Sequence, residues 1–395
     1  MRPLRVPTRS RIAMLAATLT SATFVCVMLS GCDSTQIADG YEAELRYPLR
    51  TDPIVLELPT TVAERPRDAM TIDELVKRLP SLGGKIIEPA TISDDQQRQL
   101  TAALDHEFGT PAVPLVQSAS QETVAALGLD PPTLHRGSVL YRVRCADCHG
   151  LPGHGRGPTA ANIQPRPRDF RSGLFKFSSS EANTGKPRFD DLRRVLRRGV
   201  PGTPMPIFDL LPDADVRALN AYTVHLSVRG EVELRLLRRM LIDDEELIAN
   251  IAQAVQATTQ TVLASWMASQ TVPTKAEPPT VPDDSASIRR GHALFTNAAG
   301  GASCLSCHES YGKKEVFRFD AWGQPARVAN LTEPQYRWGG EPTDLARRVR
   351  HGIRPANMPA NPTLTDQQVQ DLVAFILALP YAEQLPADVR QAIDK

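Results

Sequence analysis

Two short stretches of this sequence, Cys145-Ala-Asp-Cys148-His149 and Cys304-Leu-Ser-Cys307-His308, repeat one pattern: two thiols three residues apart with an imidazole directly after them. On one helical turn that spacing sets both thiols and the imidazole at neighbouring positions, so their target must meet all three groups together. A zinc ribbon would bring its Cys pairs within about 15 to 20 residues, whereas Cys148 and Cys304 stand 156 positions apart. A thioredoxin-like redox pair sits beside a strand-helix unit, and no strand pattern precedes either stretch. Of the six Cys, the other two, Cys26 and Cys32, lie in or just after an apolar N-terminal run. That position argues against a disulfide framework.

The pattern is the attachment signature of covalent c-type haem. The thiols of Cys145, Cys148, Cys304 and Cys307 would form thioethers with the vinyl groups of two haems. His149 and His308 would then place a nitrogen on each iron from the proximal side. Met205 and Met358 are the candidates for the distal side. Both sit in Pro/Gly-rich loops, Gly199-Val-Pro-Gly-Thr-Pro-Met205-Pro and Gly352-Ile-Arg-Pro-Ala-Asn-Met358-Pro, 56 and 50 residues after their histidines. A thioether there can approach a haem face without breaking a helix. Met240 and Met267 read instead as members of apolar helix stripes. Among the remaining histidines, His154, His225 and His351 are the ones that would depart from an ordinary structural role.

The two sites lie in a duplication. Residues 191 to 226 fall on 344 to 379 without a gap, pairing Asp191 with Asp344, Arg194 with Arg347, Gly199 with Gly352, Met205 with Met358 and Leu226 with Leu379. Upstream, Arg136-Gly137 and Tyr141 match Arg290-Gly291 and Phe295, with five extra residues before Cys304 in the second copy. Each copy reads as a helix running into the motif, a loop, a basic helix (190–198, 343–351), the Met loop and a closing helix. The closing helices carry Val216, Leu219, Tyr222 and Leu226, and Val369, Leu372, Phe375 and Leu379, at helical spacing.

On these motifs each copy resembles a class I cytochrome c domain, a small helical fold wrapped around one haem, and the pair resembles a diheme c-type cytochrome. The resemblance covers residues 134–228 and 287–382. It implies a mainly α fold, two covalently bound haem c groups and no catalytic residues. It also implies that a Gly-Pro after the motif orients the proximal imidazole through the Pro carbonyl. Gly157-Pro158 fits that in the first copy; in the second, Pro325 or a neighbouring carbonyl would have to serve. Pro158, Arg166 and Arg168 are therefore candidate haem-pocket residues, with Lys176 beyond them, a cation being a natural partner for a propionate.

Ahead of this, Arg2, Arg5, Arg9 and Arg11 precede an uncharged, mostly apolar run from Ile12 to Ser30, an export signal over 1–31. An uncleaved membrane helix is the competing reading. Leu29-Ser30-Gly31-Cys32 resembles a bacterial lipobox, which would make Cys32 the lipidated first residue of the mature chain. Asp33 then resembles an inner-membrane retention signal. Lys+Arg and Asp+Glu balance at 45 each; cleavage removes four Arg and no acid, leaving a net charge of −4. Nothing there suits a nucleic-acid partner.

Residues 32–133 read as a tether or docking segment with short helices at 71–79 and 93–108 and a strand near 53–59. Residues 229–270 read as a helical hairpin turning near Asp243, with Ile248, Ile251, Val255, Val262 and Trp266 as its apolar stripe. A Pro-rich linker follows over 271–286, and 383–395 form a C-terminal tail. The function expected is one-electron transfer between a membrane respiratory complex or another redox protein and its counterpart, on the periplasmic side of a membrane, with no small-molecule substrate. A diheme peroxidase-like enzyme, or the haem subunit of a periplasmic dehydrogenase, is the alternative.

Overall fold

The computed structural model describes residues 40–65, 70–180, 184–242, 250–271, 281–296 and 303–394. The export segment, Cys32, Asp33, the Asp243–Glu246 run, Ile248 and most of the Pro-rich linker lie outside them. The described residues belong to one unit that begins at Gly40.

In chain order, β1 (Ile54–Glu57) and β2 (Lys85–Ile87) pair antiparallel around α1 (Ile72–Lys77). Helix α2 (Asp94–Phe108) starts at a capping box between Ser93 and Gln96, with Asp94 and Asp95 at the positive end of its dipole. Then come α3 (Gln121–Leu127), α4 (Pro131–Arg144), α5 (Ala146–His149), α6 (Phe189–Arg198), α7 (Asp213–Ile242) and α8 (Ile251–Ser269). The second copy supplies α9 (Ser285–Thr296), a hairpin of β3 (Phe317–Phe319) and β4 (Pro325–Arg327), α10 (Pro342–His351), α11 (Asp366–Ala378) and α12 (Ala387–Ile393).

Each copy is organised by one close helix crossing. A Cβ on Gly137 would lie 2.2 Å from the Ala218 carbonyl oxygen and 2.7 Å from Tyr222 Cβ. On Gly291 it would lie 2.0 Å from the Asp371 oxygen and 2.8 Å from Phe375 Cβ. Only glycine lets α4 sink onto α7, and α9 onto α11, with an aromatic ring packed beside each crossing.

The closing helix of the first copy does not end near Leu226. It runs on as α7 to Ile242, so the boundary expected at 228 falls inside a helix. This extension and α8 form the hairpin, whose stripe at Ile251, Val255, Val262 and Trp266 is buried in one core with Leu100, Leu104 and Phe108 of α2. The N-terminal segment therefore covers the hairpin. The C-terminal tail also packs: Val389 of α12 joins the second core, and Arg289 pairs with Asp388 at 2.9 Å.

The two copies meet directly. Arg194 of α6 forms a bidentate pair with Asp344 of α10 at 2.6 and 2.5 Å. In return Arg347 donates to the Ser179 carbonyl at 2.8 Å, and Ser179 N–H is held by Asp191 at 2.7 Å. Because 191/344 and 194/347 are repeat pairs, the contact approximates a two-fold between the copies. Phe177 stacks on Trp338 beside it, with ring centroids 5.9 Å apart. The N-terminal segment touches both copies, packing Tyr47 on Leu140 and Tyr141 of the first and, in the second, pairing Ala63 with Phe317 and packing Val76 and Leu79 on Phe319.

Candidate functional site

The two Cys-x-x-Cys-His stretches fold alike. In the first, the N–H groups of Cys148 and His149 return to the Cys145 carbonyl at 3.2 and 2.8 Å; in the second, Cys307 and His308 return to Cys304 at the same two distances. One tight turn thus gathers both thiols and the imidazole in each copy. All four thiols are half-buried and none is in a disulfide, which suits thioether formation at a haem edge. Burial, reinforced by the Cys148 thiol, pushes the Cys145 thiol up to about 12; Cys304 rises to about 11 for the same first reason.

Each imidazole is fixed from behind by a backbone carbonyl. His149 Nδ1 lies 3.0 Å from the Arg168 oxygen, and His308 Nδ1 lies 3.0 Å from the Ala329 oxygen. Nδ1–H donation selects the tautomer in which Nε2 keeps its lone pair, the form needed to bind a metal. The residue set therefore fits a covalently held haem iron. Burial pushes His149 down to about 4, the Arg168 carbonyl opposing this and the Arg168 charge adding to it; His308 is also lowered, by burial.

The carbonyl is not that of Pro158, which corrects the expectation carried by Gly157-Pro158. The loop after His149 folds back on the motif itself: Gly155 N–H reaches the His149 oxygen at 2.8 Å and Gly157 N–H the Cys148 oxygen at 3.1 Å. A Cβ on Gly157 would stand 2.2 Å from the Asp147 oxygen, so this glycine serves the turn. Pro158 is left exposed. In the second copy the acceptor, Ala329, lies four residues beyond Pro325.

Both acceptors begin equivalent turns that sequence comparison misses. In Arg168-Asp169-Phe170-Arg171 the Asp169 carboxylate accepts from Arg171 N–H at 2.9 Å; in Ala329-Asn330-Leu331-Thr332 the Asn330 amide oxygen accepts from Thr332 N–H at 3.1 Å. Phe170 N–H bonds to Gly153 and Leu331 N–H to Tyr311, at 2.8 and 3.0 Å. Both are the same anchoring device at the same place behind the imidazole.

The Met loops also match. Gly199 and Gly352 adopt φ of +61° and +68°, and a Cβ on either would collide with the carbonyl oxygen of Met205 or Met358. Val200 N–H and Ile353 N–H bond to those same oxygens at 3.4 and 3.0 Å. Arg197 and Arg350 then tie each loop to the head of its closing helix, reaching the Leu211 and Leu364 carbonyls at 2.6 and 3.0 Å and Asp213 and Asp366 at 2.5 Å each. Met205 and Met358 are half-buried at the ends of these loops.

The other candidates separate clearly. Arg166 spends its donors on the carbonyls of Ala160, Ala161 and Met70. Arg168 lays its guanidinium 3.7 Å from the Trp322 ring centroid, and Lys176 pairs with Asp320 at 3.0 Å. His225 is fully buried, Nε2 lying 3.0 and 3.1 Å from the Phe108 and Leu115 carbonyls. His154 Nδ1 accepts from Arg156 N–H at 3.1 Å. Met240 is buried in the hairpin core, with Met267 packed against it.

Behind the first turn lies a set of buried charges. Asp169 meets Arg171 at 2.8 Å, Arg156 at 3.5 Å and Arg50 at 3.6 Å, and Asp52 meets Arg171 at 2.8 Å and Arg156 at 3.4 Å. Burial alone would raise both carboxylates, but the surrounding guanidiniums, Arg171 foremost, hold both below the usual range. No sequence signal pointed to Arg50 or Asp52, which come from a segment with no motif.

Residues 134–227 match the family model described as cytochrome c, and residues 286–376 match that of the cbb3-type cytochrome c oxidase subunit III. No curated protein matches the chain. Among solved structures, a chain of the Kuenenia stuttgartiensis reducing HAO-like protein complex is similar at 21% identity and a TM-score of 0.44, over 62% of this chain and 95% of that one. The chain is mainly helical, contains two cytochrome c domains and carries two covalently bound haem c groups.

Proposed function

We propose that the protein is a membrane-anchored diheme cytochrome that passes single electrons between respiratory components. Its two cytochrome c domains support a haem-based electron-transfer role. The observation that carries the finer reading is the twofold anchoring of an imidazole, with Nδ1 on a backbone carbonyl, in a domain that also closes a Met loop over its last helix. In this reading Cys145, Cys148, Cys304 and Cys307 hold the haems, His149 and His308 bind iron from one side, and Met205 and Met358 from the other. A haem iron so ligated supplies one-electron chemistry at a raised potential and offers no position to a substrate. The chain's own task is to orient the imidazoles, keep water from the haem edges and set the local charge.

The anchoring reading rests on sequence: an export signal ahead of Cys32, whose lipidation would hold the protein on the periplasmic face of the inner membrane. Among the described residues no helix is long and apolar enough to cross a membrane. The partners would be a membrane complex or a second redox protein. The test is the visible spectrum and redox titration of the purified protein. Two low-spin haems with a Met-to-iron charge-transfer band, each titrating with one electron, are expected. A high-spin haem that binds peroxide or cyanide at rest would instead favour the peroxidase-like enzyme.

A further inference from the structure

The tip of the β3–β4 hairpin belongs to the second haem domain but sits on the proximal turn of the first. Trp322 is buried, with 8% of its surface exposed. Its indole N–H donates to Ser172 Oγ at 2.9 Å, and its ring faces the Arg168 guanidinium at 3.7 Å. Among the described residues Arg168 makes no ion pair. The neighbouring acid, Asp320, is engaged by Lys176 and by the N–H groups of Trp322 and Gln324, the latter two at 3.1 Å. Next to Trp322, Gly323 has a φ of +73°, and a Cβ there would meet Leu79 at 2.6 Å, so the tip is also held from the N-terminal segment. The strand leaving this tip runs through β4 to Ala329, whose carbonyl holds His308. One hairpin thus touches the anchors of both proximal histidines.

We propose that Trp322 is a positioning residue for the first haem: by capping the half-buried Arg168 it fixes the carbonyl that orients His149 and shields a cation that has no ion pair behind that ligand. The inference rests on His149 being the proximal ligand of the first haem. Two effects of removing the ring oppose each other. A looser Arg168 carbonyl donates less through His149 and favours reduction. More water around the guanidinium screens a positive charge that had favoured the less positive ferrous iron. A full charge, even half-buried, outweighs a neutral hydrogen bond, so the net change is a lower potential at the first haem.

The experiment is an anaerobic redox titration of the full two-haem protein, with Met205→His and Met358→His identifying which wave belongs to which domain. Trp322→Ala lowers the first-domain wave by about tenfold in its equilibrium constant, about 59 mV for one electron, and leaves the other wave in place. Trp322→Phe, which keeps a ring face, recovers most of the wild-type potential. Arg168→Gln retains the carbonyl without the charge and lowers the same wave, which tests the idea even where Trp322→Ala fails to fold. Neither wave moving, both moving equally, or Arg168→Gln leaving the first wave unchanged overturns it. Failure of the ligand reading is seen separately, as a first haem that keeps its wild-type spectrum in His149→Ala.

Discussion

The turn that anchors the imidazole of the Cys-x-x-Cys-His motif is built twice in this chain, once from charged residues and once from neutral ones. Arg168-Asp169-Phe170-Arg171 is packed under the N-terminal segment and against the second domain. Ala329-Asn330-Leu331-Thr332 performs the same backbone task with Asn330 bonded only locally, to Glu333 at 2.7 Å. The backbone geometry needs only a carbonyl at the first position and a side-chain oxygen at the second. The charges of the first copy must therefore serve something other than the anchor. Their partners, Arg50, Asp52 and Arg156, show what: they bind the N-terminal segment to the haem domain. Burying so many charges is costly unless each is paired, and here removing one leaves several unmatched.

Asp169→Asn makes the first turn resemble the second and breaks this comparison most severely. The amide still caps Arg171 N–H, so the turn survives, but Arg50 and Arg171 lose a shared buried anion. The expected loss is about 3–5 kcal/mol, read as a lowered denaturant midpoint. The reverse change, Asn330→Asp, sets a half-exposed carboxylate beside Glu333 and costs far less. Equal losses from the two would mean that the buried charges hold nothing beyond the turn.

How legible this was in the sequence follows the same division. The motifs, the Met loops and the repeat were readable because 191–226 align on 344–379 without a gap. The proximal turns were not: their acceptors lie 19 and 21 residues after the histidines, and Arg-Asp-Phe-Arg shares no residue type with Ala-Asn-Leu-Thr. Gly157-Pro158 drew attention to a position whose glycine merely seals the motif. Helix α7 was divided too early because Arg229, Glu231 and Glu233 interrupt its apolar pattern. Those residues are buried, Arg229 on Glu233 at 3.1 Å and on the Tyr47 ring, Glu231 on Lys186 at 2.6 Å. The partners that let them be buried, the Tyr47 ring and Lys186, lie far away in the sequence and leave no local trace.

The closing helices extend the comparison to pH. His225 stands where the second copy has Ala378, and burial, with the Arg229 charge adding to it, lowers its pKa to about 4. Its Nε2–H is shared by two carbonyls and its Nδ1 has no partner among the described residues, so protonation would bury a lone charge. An unfolded imidazole accepts that proton near 6.5. The stability contributed by neutral His225 is thus full above about 6.5 and is lost as pH falls toward 4, by up to about 3 kcal/mol at the acid end. His225→Gln still donates to both carbonyls but does not titrate. Its unfolding midpoint should change less than that of the wild type between pH 7 and pH 5; an unchanged dependence would assign the acid sensitivity elsewhere, His154 being next.

The smallest difference lies in the Met loops. Arg197 bonds to the carbonyls of Phe208, Asp209 and Leu211, at 3.3, 2.7 and 2.6 Å, whereas Arg350 bonds to Leu364. The ion pairs with Asp213 and Asp366 are open to water, those carboxylates being 74% and 85% exposed, and contribute at most about 1 kcal/mol. Global stability should therefore hardly distinguish Arg197→Gln from Arg350→Gln. Loop opening should. Without its guanidinium the first loop loses three carbonyl clamps against one in the second, so under the proposed ligation cyanide should displace Met205 more readily than Met358 by about fivefold, the equivalent of about 1 kcal/mol. The visible spectrum measures this as loss of the Met-to-iron band with added cyanide. Equal gains in the two variants would show that the Leu211 and Leu364 carbonyls alone close the loops, and that the extra bonds of Arg197 leave the first haem no better guarded than the second.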